Sequence, residues 1–162
     1  MIRQELPLRY GYSLTCTRFV LTQADIPAGT TAQSVNLADA LGNAFQVSQG
    51  GIVLGFRIKT DTVFSGGAMS ALTMNIGSQT AGGNTFFYSG NFNLLAAVAD
   101  NTVTFDVAFK APTNAPFGIN VTFTGDGSTN FNTLTAGQVH IDVFLVQFGP
   151  INTQANAPSV TP

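Results

Sequence analysis

His140 is the one histidine of the chain, and Asp142 follows it two residues later. On a strand this spacing places an imidazole and a carboxylate on the same face, the pairing that orients a nucleophile in acyl-transfer enzymes. A triad also needs a nucleophile held against that pair, and no serine here stands in a nucleophile-elbow pattern. The pair therefore reads as a solvated or interfacial pair on a strand. Asp126-Gly127-Ser128-Thr129-Asn130 gathers oxygen ligands around a glycine turn, as a calcium loop does, but lacks the further acidic positions and the closing glutamate. One histidine and one cysteine do not fill a zinc site. Glu5 and the aspartates stand at loops or isolated strand positions, with no pair placed to flank a sugar in a cleft. Cys16, alone in an apolar and threonine-rich segment, reads as a buried, unreactive thiol. No catalytic, cofactor-binding or metal-ligating set emerges, so the expectation is a protein that is not an enzyme and takes no cofactor.

The remaining cluster is aromatic. Phe86, Phe87, Tyr88 and Phe92 lie close together around Gly90. In a sandwich, alternate members of such a run point away from the core, where they can stack on sugar rings or anchor a protein contact. The plainer reading is that they cover the open end of the sandwich.

Charge narrows the classes further. Charged residues make up 9% of the chain, against about 25% in an ordinary globular protein. Net charge is −2, and the six basic residues are scattered singly along the sequence. No basic run is present to neutralise phosphates, which excludes nucleic acid as an expected partner. No apolar stretch approaches the roughly 20 residues of a membrane span, and the opening residues lack the apolar core of a signal peptide. The expectation is synthesis in a cytoplasm, with no membrane partner. A weakly charged surface of Thr, Asn and Gly suits a protein that lives in an assembly, because net charge is what keeps free proteins apart.

Period-two segments supply the framework. Val103, Phe105, Val107 and Phe109 alternate with polar or small residues, as do Ile119, Val121 and Phe123. Ile52, Leu54, Phe56 and Ile58 form an inward face against Val53, Gly55, Arg57 and Lys59; Leu72, Met74 and Ile76 repeat the pattern. Residues 13–23 read as a strand with two mixed faces, Thr15, Thr17, Phe19 and Leu21 on one and Leu14, Cys16, Arg18 and Val20 on the other, which points to an interface. Residues 138–148 close the domain with Val139, Ile141, Val143 and Leu145 inward. Their other face starts polar and turns apolar at Phe144, Val146 and Phe148, as in a central strand or one covered by another chain. Asp39 is placed to cap a helical turn over 39–45, a second turn competes with a strand at 93–99, and 79–84 reads as a loop. About eight strands with little helix make an all-β, two-sheet antiparallel sandwich, with the jelly roll as the leading topology. Residues 1–12 read as an N-terminal arm, 13–149 as the sandwich and 150–162 as a flexible tail.

The segment IVLGFRIKTDTVFSGGAMSALTMNIG, from Ile52, and the later LTAGQVHIDV, from Leu134, resemble small virion proteins of tailed bacteriophages. The similarity is to jelly-roll capsid decoration, or cement, proteins, and it covers most of residues 24–148. It implies a homotrimer on the outside of a phage head, bridging neighbouring major capsid subunits and stabilising their contacts. On that reading Phe144, Val146 and Phe148 form the subunit contact, and the arm residues Leu6, Leu8, Tyr10 and Tyr12 touch the capsid. The alternative expectation is a glycan- or receptor-binding module of a fibre or tail, using Phe86, Phe87, Tyr88 and Phe92.

Overall fold

The structure, a computed structural model, describes residues 3–7, 12–39, 41–49, 51–80, 83–86, 92–96, 102–104 and 116–148. These residues form strands β1 (Arg3–Pro7), β2 (Tyr12–Thr22), β3 (Ala32–Asn36), β4 (Gln46–Val47), β5 (Ile52–Gly66), β6 (Leu72–Thr80), β7 (Gly83–Phe86), β8 (Phe92–Asn93), β9 (Thr102–Thr104), β10 (Phe117–Gly125) and β11 (Leu134–Phe148). Single 3-10 turns at Gln23–Asp25 and Phe131–Thr133 are the helical elements among the described residues.

Two antiparallel sheets result. The first, sheet A, has the order β1-β2-β11-β5-β9; the second, sheet B, has the order β3-β10-β6-β7, with β4 continuing the β3 edge along β10 and β8 continuing the β7 edge along β6. The pairings are nested: β2 with β11, β3 with β10, β5 with β9, β6 with β7. A long antiparallel ribbon, folded so that successive pairs fall alternately in two sheets, has this pairing, and it is the jelly roll. β1 is an extra strand on the β2 edge.

The core lies between the sheets, and period-two alternation fills it. Ile119, Val121 and Phe123 of β10 and Val139, Ile141 and Val143 of β11 belong to one core cluster, and all six are fully buried. Full burial of such side chains contributes about 1.5–3 kcal/mol each. The central position expected for the last strand is observed, since β11 pairs with β2 on one side and β5 on the other.

Several local expectations are corrected. In β2 the mixed faces resolve into core and surface, not an interface on both sides: Thr15 and Thr17 are buried beside Phe19 and Leu21, while Arg18 and Val20 are exposed. Threonine serves inside because its methyl packs while the strand's backbone groups are already paired. In β5 the inward alternation holds at Phe56 and Ile58 and then slips. Phe144 faces Gly55 but Leu145 faces Val53, a bulge that leaves Val53 against the core and takes Ile52 and Leu54 out of it. Residues 41–45 make no helical turn. Ala38 bridges Ala44, and the Asp39 carboxylate accepts from the backbone N–H groups of Leu41 and Asn43, both at 2.9 Å, so it closes a tight hairpin. The loop expected over 79–84 is strand at both ends, with Thr80 paired to Gly83. The strand of β8 ends at Asn93 and residues 94–96 bend away from it without a helical turn, the Leu95 N–H donating to the Asn93 side chain at 2.9 Å; Leu94 donates to Leu72 and accepts from Phe64, which fixes it in the core. Residues 3–7 of the arm form β1 and pair with β2 of the same chain. Residues 105–110 and 150–162 lie outside the described residues.

Candidate functional site

The outer face of sheet A carries the candidate site, and strand register builds it row by row. Leu6 of β1 pairs with Leu14 of β2, Leu14 with Val146 of β11, and Val146 with Ile52 of β5. The next row is Gln4, Cys16, Phe144 and Gly55, and the one after it sets Arg18 and Arg57 on either side of Asp142. Beyond that, His140 stands between Val20 and Lys59. Tyr12 and Phe148 pair at the apolar end. One face therefore runs from apolar to charged along β11, with Asp142 and Asp61 set among Arg18, Arg57 and Lys59 at the far end. Leu14, Ile52, Phe144 and Val146 are half-buried in the single chain, and Arg18, Lys59 and Val20 are exposed.

Two of the expected sets thus meet. The proposed subunit contact (Phe144, Val146, Phe148) and the described members of the proposed capsid contact (Leu6, Tyr12) occupy neighbouring rows of one sheet; Leu8 and Tyr10 lie outside the described residues. The basic residues whose side chains are described gather in space. Three of the six, Arg18, Arg57 and Lys59, converge on this face with His140. No spacing in the sequence signals this, because Arg18 and its partner Asp142 are 124 residues apart.

The His140–Asp142 pair is taken apart by the fold. Asp142 is buried and accepts two bonds from the Arg18 guanidinium, at 2.6 Å from Nε and 2.9 Å from Nη2. That hydrogen-bonded carboxylate holds the Arg18 pKa above its ordinary value. His140 instead meets Asp61 of β5 through Nε2 at 3.0 Å, and Lys59 meets the other oxygen of Asp61 at 3.0 Å. The Lys59 ammonium, hydrogen-bonded to Asp61, lowers the pKa of that carboxyl. Imidazole and carboxylate are each engaged across strands, so they tie β2, β11 and β5 together instead of orienting a nucleophile. Cys16, next to this row, is half-buried; burial raises its thiol pKa, with the nearby Asp142 charge adding to the shift. Both effects oppose the thiolate, which is the reactive form.

The calcium-like loop is a backbone staple. The Asp126 carboxylate accepts from the backbone N–H groups of Ser70 (3.0 Å), Ser128 (2.9 Å) and Thr129 (2.7 Å) and from the hydroxyls of the same three residues. These donors occupy both oxygens and push the Asp126 pKa far below the carboxylate range, the Ser70 amide most strongly. The group joins the β5–β6 turn to the loop after β10. Because its folded pKa is lowered, its contribution is complete above the unfolded value of about 4 and is lost as pH falls toward the folded value. Asp126→Asn is expected to melt below the wild type at pH 7, and the gap should narrow as pH drops below about 4. Thermal melts across that range check this; a gap that stays constant with pH would contradict it.

The aromatic cluster is divided. Phe92 lies in the core at 7% exposure, which removes it from any surface set. Phe86 sits in β7 opposite Gly77, and Phe87 and Tyr88 lie outside the described residues. Among the described residues no group of three or more His, Cys, Asp or Glu side chains is placed to hold a metal ion, and no helix is long and apolar enough to cross a membrane.

No protein-family model, no curated protein and no solved structure matches the chain.

Proposed function

We propose that this chain is a structural virion protein that decorates the outside of a phage head and stabilises contacts between major capsid subunits. The observation that carries the reading is the outer face of sheet A, where apolar rows at Leu14, Val146, Ile52 and Phe144 adjoin three cations. An apolar centre with charge at its margin is the composition of a docking surface. The described acidic side chains of known pairing (Asp25, Asp39, Asp61, Asp126 and Asp142) cap turns or hold strands together, which also favours a structural role.

On this reading the face carries both contacts: the rows at Phe144 and Val146 join the subunits of a homotrimer, and the neighbouring arm strand seats on the major capsid protein at the virion surface, so that symmetry multiplies modest contacts. The jelly roll supports the reading without deciding it, because a fold hosts many functions.

The test is co-sedimentation of the purified chain with heads assembled without it. Wild type should pellet saturably, and Val146→Asp should bind at least about tenfold more weakly while melting as a folded protein, since a charge at the centre of a packed contact is not tolerated. Unchanged binding by Val146→Asp would remove the contact from this face. No pelleting by the wild type would remove the function.

A further inference from the structure

Among the described residues β3 is an edge of sheet B, bonded to β10 on one side. The bonds from Leu37 N–H to Ile119 O (2.9 Å) and from Gly125 N–H to Thr31 O (2.7 Å) set the phase of that ladder. Odd-numbered residues of β3 turn their backbone polar groups toward β10. Alternation then directs the N–H and C=O groups of Ala32, Ser34 and Asn36 away from β10, to the open edge. These three residues are exposed, with Gln33 and Val35 half-buried between them.

Open edges normally carry something that refuses a further strand: a charge, a proline, a bulge or a cover. β1, at an edge of sheet A, has Arg3, Glu5 and Pro7. β3 reads Ala-Gln-Ser-Val-Asn, with neither charge nor proline, and pairs with β10 through consecutive residues without a register shift.

We infer that β3 is a strand-addition site whose occupant is β3 of a second copy of this chain, paired antiparallel about a two-fold axis at Ser34. That register sets Ser34 against its own counterpart and Ala32 against the second copy's Asn36. The three outward-facing residues then exchange about six backbone N–H···O bonds with their mates. A two-fold contact brings each residue against itself or its symmetry mate, so a charge near the axis would meet a like charge; β3 has none. The joined sheets share one outer face on which Ser34 already bonds Thr122 at 2.9 Å, with Asn36, Thr124 and Thr73 in neighbouring positions. The contact uses sheet B and is independent of what docks on sheet A.

The register itself is the test. In a Cys16→Ser background, Ser34→Cys places two thiols on residues about 5.5 Å apart between Cα atoms, inside the disulfide range. Asn36→Cys places its thiol about 13 Å along the strand from its own counterpart, beyond that range. Under mild oxidation of the purified chain, Ser34→Cys should cross-link to itself at least about tenfold faster than Asn36→Cys. An equimolar mixture of Ala32→Cys and Asn36→Cys should give the mixed dimer. Equal rates at the two positions, or no dimer in any variant, would overturn the pairing.

Discussion

Phe123→Ala should unfold at a markedly lower urea concentration than the wild type, with a loss of about 3–5 kcal/mol. The ring is fully buried on β10, in a strand whose neighbours Ile119 and Val121 are also at 0% exposure. β10 is paired on both sides, with β3 on one and β6 on the other, and sheet A lies across its inner face. A strand held on three sides collapses poorly around a missing ring, so the cavity term adds to the lost transfer energy. The total is a large share of the 5–15 kcal/mol that ordinarily separates folded from unfolded domains. Urea denaturation followed by circular dichroism measures it, and a loss under about 1 kcal/mol would mean that the site closes over and that the two sheets are not rigidly stacked there.

The second large effect falls on the Arg18–Asp142 pair. Arg18→Met leaves a carboxylate at 4% exposure without its two-point partner. Removing one member of a buried pair costs about 3–5 kcal/mol in general. Here the Arg18 side chain is 44% exposed and Arg57 stands opposite Asp142 on the other side, which brings the expected cost to about 2–3 kcal/mol. Adding Asp142→Leu removes the stranded charge, so the double variant should recover most of the loss. A double variant as unstable as Arg18→Met alone would show that packing, not the unpaired carboxylate, is what the substitution disturbs.

Legibility in the sequence followed the range of each interaction. Alternation marked β10 and β11 because their inward residues are all large and apolar and their neighbours are not, and burial follows that pattern at Ile119, Val121, Val139 and Ile141. It marked β5 only from Phe56 onward. The bulge opposite Phe144 inverts the faces beyond it, and nothing local distinguishes Val53 from Leu54 as the residue that turns inward. β2 was ambiguous for a chemical reason, since threonine fits a core by its methyl and a surface by its hydroxyl, and Thr15 and Thr17 took the first role. Asp39 was recognisable as a capping residue, but the same carboxylate geometry serves a helix start and a hairpin, and tertiary pairing of Ala38 with Ala44 chose the hairpin. The candidate site was the least legible part. His140 and Asp142 shared a face as their spacing implied, yet their partners Asp61 and Arg18 come from other strands through the nested pairing, which leaves no mark on sequence spacing.

That same nesting carries the functional account, because it assembles dispersed apolar and basic residues into one face. The measurement that tests the central claim most directly is the protein composition of gradient-purified phage particles. The account predicts this chain at a fixed, reproducible ratio to the major capsid protein, retained through the gradient. Particles that carry the capsid protein and lack this chain would contradict it.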